Sequence, residues 1–202
     1  VAEYKIISWN LLHTTGARLE AVAALALRHQ PDLLLMQEAT AEFDHLPQRL
    51  GGNYARLALP GRHHGLAAWS PQPLHRPAAS LVLQRGLIVR RVCQLIDLGP
   101  LTVANVHLSH GQMLNRRQLR RIAAALPDRA AILGDCNLVG APFLPGFRDV
   151  GARVATHRMQ NMIPLRLDRC FTRGLNCTAA EVLDQGASDH RPLKVTLAVE
   201  GK

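Results

Sequence analysis

The segment LTVANVHLSHGQMLNRRQLRRIAAALPDRAAILGDCN, residues 101–137, holds the pattern that decides the fold. Leu101–Leu108 reads as a strand. The stretch after it places Leu119, Ile122, Ala123 and Leu126 on one helical face before Pro127 ends the helix. Ala130–Leu133 is a short apolar run of buried-strand type, and Gly134, Asp135, Cys136 and Asn137 follow it directly.

Working outward, Tyr4–Trp9 reads as a strand. Arg18–His29 sets Leu19, Val22, Ala23 and Ala26 at helical spacing before Pro31, and Leu33–Met36 is again a short buried strand. Ala55–Leu59, Leu66–Trp69, Leu81–Leu83 and Leu87–Leu95 are further strands, punctuated by Pro60-Gly61, Pro71 and Arg85-Gly86. Leu167–Thr172, Glu181–Leu183 and Pro192–Val199 complete the set, with Gly140–Pro145 and Ala155–Ile163 read as loops or short turns. Many strands with only two or three helices predict an α/β fold of sheet packed on sheet with outer helices, because buried strands need cover on both faces.

The 202 residues fit one compact domain spanning 1–202, with no repeat or linker to divide it. No apolar run approaches the roughly 18 residues of a membrane span, and no charged-then-apolar leader precedes Tyr4. The expectation is a soluble, cytoplasmic protein unless a leader has been removed, with no protein partner. The formal net charge of +9 favours a polyanionic partner, since a basic surface attracts phosphates. Arginine-rich coding bias explains the same number, for only Lys5, Lys194 and Lys202 are lysine. Arg116, Arg117, Arg120 and Arg121 on the second helix fit either a phosphate grip or a solvated face. Cys93, Cys136, Cys170 and Cys177 lack paired spacing for a structural zinc site and read as ordinary buried thiols.

Polar residues recur where strands should end. Asp189 and His190, in the run Ser188-Asp189-His190-Arg191-Pro192, offer a metal contact and a base from one rigid place, or a polar turn before a strand. Asp135 and Asn137 project to the same side of an extended segment, and Gly134 before them permits close approach. Asn10 after Trp9, and Glu38 after Gln37, are oxygen donors of the kind that Mg²⁺ takes; capping and helix-leading roles are the plain alternatives. Asn105 and His107 share a face by alternation, and His107 suits a phosphate oxygen or a leaving group. Asp168, between Arg166 and Arg169, is either a further site carboxylate or a surface ion pair.

With these motifs in this order, the chain resembles the endonuclease/exonuclease/phosphatase superfamily from about Tyr4 to Val199. The elements Gly134-Asp135-Cys136-Asn137 and Ser188-Asp189-His190, together with Asn10 and Gln37-Glu38, carry the resemblance. It implies a two-sheet sandwich flanked by helices, a four-layer α/β/β/α DNase I-like fold. It also implies a Mg²⁺-dependent phosphodiesterase, with Mn²⁺ as a possible substitute ion. Glu38 becomes the principal metal ligand, with Asn10 and Asp189 in the metal region. Asp135 and Asn137 orient water and phosphoryl group, His190 is the general base aligned by Asp168, and His107 stabilises charge. At an unperturbed value of about 6.5, His190 would take a proton near neutrality.

Departures bear on the substrate. Cys136 stands where relatives carry an apolar or aromatic residue, and the loops between Asp135, Asp168 and Asp189 are short. Arg62, His63 and His64 precede Gly65 and are candidates for substrate phosphate contact. The implied function is a nuclease on DNA or RNA; the alternative is a phosphatase or phosphodiesterase acting on phospholipid head groups, phosphoinositides or small phosphorylated metabolites. A binding module without activity would be expected to have lost one of Glu38, Asp135, Asn137, Asp189 or His190, and all five are present. Aromatic residues make up only 4% of the chain, so an extended base-stacking platform is not expected.

Overall fold

A computed structural model describes residues 1–86, 89–159, 163–184 and 186–200. Alternation along the first strand sets the plan. In β1 (Ala2–Asn10), Ile6, Ser8 and Asn10 share one face while Ile7 and Trp9 share the other. Both faces are buried, so each must meet a separate layer. β1 runs parallel to β2 (Leu33–Ala39), and α1 (Leu19–His29) supplies the crossover that parallel pairing requires. A 3₁₀ turn (Ala41–His45), α2 (Leu46–Leu50) and the hairpin of β3 (Asn53–Ala58) and β4 (Gly65–Ser70) follow.

The second half repeats the device. β5 (Ala79–Val82) and β6 (Val92–Asp97) lead antiparallel into β7 (Thr102–His107), and α3 (Gln112–Ala125) crosses to β8 (Ala130–Asp135), parallel to β7. After the short β9 (Arg148–Asp149), a hairpin of β10 (His157–Met159) and β11 (Ile163–Leu165) precedes β12 (Asp168–Arg173). β13 (Asn176–Val182) and β14 (Leu193–Val199) return to the first sheet. The sheets have strand orders β13-β14-β1-β2-β4-β3 and β5-β6-β7-β8-β12-β9.

Three apolar cores make the four layers of an α/β/β/α sandwich. Val22, Ala26, Phe43 and Leu46 cover Ile7, Trp9, Leu34 and Met36 on the outside of the first sheet. Ile6, Leu33, Leu35, Val103, Ala131, Leu133 and Val195 fill the space between the sheets. Leu119, Ile122 and Ala123 of α3 cover Ala104, Val106, Ile132 and Phe171 on the outside of the second.

Polar side chains also cross the middle. The Gln37 amide donates to Ser8 Oγ at 3.1 Å and Asn105 Oδ1 at 2.8 Å, and Asn105 Nδ2 donates to Ala67 O at 3.0 Å and Gln94 Oε1 at 3.1 Å. This network joins β1, β2 and β4 to β6 and β7, and so ties the two sheets together just behind the strand ends that carry Asn10, Glu38 and His107.

Several predicted boundaries move. The expected strand Leu87–Leu95 is ordered as β6 only from Val92, with Leu87 and Ile88 outside the described residues. Ala155–Ile163, expected as loop, contains β10 and the start of β11, with residues 160–162 outside the described set. β13 begins at Asn176, earlier than Glu181, because that edge pairs along β14 through a bulge between Cys177 and Ala179. The short helix α2 and the two-residue β9 carry too little periodicity to be seen in the sequence. All four cysteines are free, three of them buried and Cys177 partly exposed. Among the described residues, no helix is long and apolar enough to cross a membrane.

Candidate active site

The inward faces of β1, β7 and β8 end in Asn10, His107 and Asp135, beyond the apolar filling of the inter-sheet core and the polar Ser8 and Asn105. Strand pairing sets these ends side by side: His107 is opposite Asp135 across β7 and β8, and Asp168 is opposite Asp135 across β8 and β12. Gly134 makes the approach possible. Its φ is +139°, and a Cβ there would stand 2.1 Å from Val106 O.

Asp135 is the hub. Its Oδ2 accepts from Asn10 Nδ2 at 3.0 Å and lies 3.3 Å from His107 Nε2 and 3.8 Å from His190 Nε2. Its Oδ1 accepts from the Asn137 backbone N–H at 3.0 Å, in the turn where Asn137 takes a left-handed φ of 49°. Asn137 is anchored further by Nδ2 donating to Leu108 O, while Gln112 and Asn115 of α3 donate to Asn137 O. The turn is therefore held from the strand and the helix together.

Asp168 is buried and is not in a surface ion pair with the arginines beside it, which are engaged elsewhere. Arg166 and Arg169 both clamp Asp149, at 2.6 and 2.9 Å. Asp168 Oδ2 instead accepts from His190 Nδ1 at 2.8 Å, and its backbone N–H donates to Thr156 Oγ1 at 3.0 Å. Ser188 Oγ donates to Asn10 O at 2.6 Å and accepts from the His190 backbone N–H, so the Ser188-Asp189-His190 turn is tied to the end of β1.

Glu38 sits at a bulge where β2 and β4 slip register, with φ at +59°. This left-handed residue turns its side chain toward the strand ends and costs backbone strain that the surroundings must hold. Oε2 accepts from the backbone N–H of His13 at 3.1 Å and from the His13 ring Nδ1, while Oε1 is 3.9 Å from His107 Nδ1. Asp189 accepts from His157 Nε2 at 3.3 Å. Asn10, Glu38, His107, Asp135, Asn137, Asp189 and His190 line one cleft of about 420 Å³. A slightly larger hollow of about 510 Å³ beside α1 and β13 contains none of them.

Electrostatics separates the two cleft histidines. Burial pulls the His190 imidazole down, but the Asp168 and Asp135 carboxylates outweigh it and push it up to about 10. His190 therefore holds its proton more tightly than the unperturbed ring expected from the sequence. His107 is the reverse: burial, with Arg91 adding to it, drives it well below its ordinary value. It can donate a hydrogen bond but brings no charge. Burial raises Glu38, yet the two hydrogen bonds from His13 more than offset this and keep it below the usual range. Burial raises the Asp135 carboxyl against the pull of His190, and Asp168 adds to the rise.

Arg62, His63 and His64 stand apart from the cleft lining, in the turn before β4. His64 stacks on His13 with ring centroids 3.9 Å apart, so this group touches the site through His13 and Glu38. Burial, with His13 next, lowers His64 to about 4. The four arginines of α3 face outward, and Arg116 and Arg121 donate to the backbone carbonyls of Val139 and Val82.

His13, Arg91, His157 and the pair Gln112 and Asn115 escaped the sequence analysis. Asn115 carried a usable signal, since it is a polar residue on the apolar face of α3, at helical spacing from Leu119 and Ile122. His13, Arg91 and His157 carried none, because tertiary packing brings them from a loop, a strand approach and a hairpin.

The profile of the Endonuclease/Exonuclease/phosphatase family matches residues 7–190. No curated protein matches the sequence. Among solved structures, an endonuclease/exonuclease/phosphatase from Bacteroides vulgatus superposes with a TM-score of 0.81 at 16% identity, covering 99% of this chain and 100% of that one. Truncated Caenorhabditis elegans TDP2 gives a TM-score of 0.75 at 19% identity, covering 96% and 97%. D. rerio TDP2, solved in complex with single strand DNA product, gives 0.78 at 14% identity, covering 98% and 100%. At these identities the likeness is one of fold.

Proposed function

We propose, from the premise that this chain belongs to the endonuclease/exonuclease/phosphatase family, that it is a Mg²⁺-dependent phosphodiesterase and that its substrate is a nucleic acid strand. The observation that carries this reading is the convergence of Asn10, Glu38, His107, Asp135, Asn137 and His190 on one cleft from the ends of strands in both sheets. The net charge of +9 and the DNA product bound to the D. rerio TDP2 neighbour support a nucleic acid over other phosphate esters.

The donor set suits a hard cation. Glu38 and Asn10 offer oxygens, Asp189 lies on the same lining, and Mg²⁺ asks for one or two carboxylates with water and phosphate completing its shell. Mn²⁺ fits the same donors. When bound, the ion supplies Lewis-acid polarisation of a phosphoryl oxygen and neutralises charge.

The protein's own residues do the rest. Asp168 fixes the His190 ring through Nδ1 and leaves Nε2 facing the cleft beside Asp135. His190 acts as general base in its deprotonated form, with its ring held in register by Asp168. Water oxygen bonds to phosphorus, its proton passes to His190 Nε2, and the ester oxygen departs with the electron pair of the broken P–O bond. Asp135 and Asn137 position the water and phosphoryl group, and neutral His107 donates a hydrogen bond to a phosphate oxygen. Arg62 and His63, exposed in the turn before β4, extend the phosphate-binding surface beyond the cleft.

One feature favours a second reading. Val139 lines the cleft and Phe143 follows it in the same loop, both strongly exposed, and such apolar residues suit a phospholipid head group with its attached chains. Nicking of supercoiled plasmid by purified protein, with Mg²⁺ and with chelator, decides between them. Mg²⁺-dependent nicking that salt suppresses steeply supports the nucleic acid; no nicking, with release of head groups from phospholipid vesicles, establishes the lipid substrate instead.

A further inference from the structure

We propose that His13, His63 and His64 form a binding site for a divalent transition-metal ion of the zinc class, beside Glu38 and separate from the Mg²⁺ position. One ring nitrogen from each of the three lies within 4.8 Å of the other two. Imidazole ligands select zinc, cobalt, nickel and copper ions, whereas Mg²⁺ prefers oxygen, so the two positions differ in chemistry as well as place.

Two observations mark this cluster as more than three neighbouring rings. First, His13 Nδ1 donates to Glu38 Oε2, which leaves Nε2 as the ring nitrogen with a free lone pair. A carboxylate behind a histidine in this way fixes the ring and makes its far nitrogen a better metal donor. Second, His64 Nδ1 is buried with no hydrogen-bond partner among the described residues, an orphan of the kind that folded proteins seldom leave.

The backbone that carries two of the rings is closed on itself, while His13 and His64 stack at 19° and one of them must turn about its side-chain bonds to share an ion. Leu59 N–H donates to His64 O at 3.0 Å and Arg62 N–H to Leu59 O at 3.0 Å, so the turn carrying His63 and His64 is closed by its own backbone at the mouth of the β3–β4 hairpin. The His63 ring stands edge-on to both others, with centroids 5.3 Å from His13 and 5.2 Å from His64. Three imidazoles leave a coordination position open, as in catalytic zinc sites, and a phosphate oxygen can fill it. Contact of substrate with His63 and His64 would then run through the ion.

The claim does not depend on the phosphodiesterase reading. The test is to titrate metal-free protein with Co²⁺ in excess Mg²⁺ and follow its visible ligand-field absorption. One equivalent of Co²⁺ should bind, Zn²⁺ should displace it, and Asp135→Asn in the cleft should leave the absorption in place. His63→Ala, which removes an exposed ring, should weaken Co²⁺ binding by about 100-fold or more, and Glu38→Gln by about 10-fold. His64→Ala should act like His63→Ala; should it fail to fold, His63→Ala decides alone. Absence of binding, absorption that excess Mg²⁺ abolishes, absorption unchanged in His63→Ala, or absorption lost in His157→Ala would each overturn the proposal.

Discussion

Two histidine clusters share the strand ends, and one ring in each is shifted in opposite directions. His190 faces Asp168 and Asp135, and those carboxylates push it up to about 10 despite burial. His64 faces His13 and His63, and burial takes it down to about 4. The same side chain thus holds a proton more tightly in one place and more loosely in the other. Two acids beside His190 hold its proton, whereas burial, with His13 next, strips it from His64.

The largest break in this contrast comes from Asp168→Asn, which keeps the shape behind His190 but removes the charge and can present an N–H to Nδ1. Turnover should fall on the order of 10⁴-fold, as where the carboxylate behind a catalytic imidazole is replaced elsewhere. Steady-state hydrolysis within tenfold of the parent would deny His190 its assigned role.

Gly134→Ala attacks the same cluster through the backbone. The added Cβ meets Val106 O at 2.1 Å at a φ of +139°, so β7 and β8 must part. A loss of about 3 kcal/mol or more is expected in denaturant unfolding. A loss below about 1 kcal/mol would show that the close approach seating Asp135 is dispensable.

Asp149 is a carboxylate that, among the described residues, pairs with the arginines Arg166 and Arg169. Burial raises it, but hydrogen bonds and charge from Arg166 and Arg169 hold it below the ordinary aspartate value of 3.8. Its folded value being depressed, the stability it lends is present above about 3.8 and is lost as pH falls through the lower folded value. Asp149→Asn should cost about 2 kcal/mol at neutral pH, below the range for fully buried pairs because these groups keep some water contact. It should also flatten the acid limb of stability against pH, and an unchanged limb would place the acid sensitivity elsewhere.

The smallest effect belongs to Cys136, which packs against the outer core beside Phe171 while its neighbours Asp135 and Asn137 face the cleft. Cys136→Ala should lower stability by about 1 kcal/mol and leave turnover unchanged. A large rate effect would mean that the thiol touches the chemistry.

Much of this was legible because strand periodicity is local. Ile6, Ser8 and Asn10, or Val103, Asn105 and His107, occupy one face by alternation alone, and the polar residue at the end of each run points to where the apolar filling stops. The layers followed from the same patterns, since α1 and α3 each show one apolar stripe between two buried strands. Electrostatics was not legible. An unperturbed value for His190 fails because the positions of Asp135 and Asp168 relative to its ring are tertiary facts. His13 and Arg91 were invisible for the same reason: one lies in an irregular loop and the other on the approach to β6, and only packing brings them to Glu38 and His107. Arg62, His63 and His64 stand out in the sequence as a basic run, but the stacking of His64 on His13 is a tertiary fact.

The most direct test of the account is hydrolysis of a simple phosphodiester, bis-p-nitrophenyl phosphate, by parent protein and His190→Ala, with Mg²⁺ and with chelator. The account predicts Mg²⁺-dependent release of p-nitrophenol that falls about 10²–10⁴-fold in the variant while its circular dichroism is retained. Equal rates in the two proteins, or hydrolysis that chelator does not touch, would contradict it.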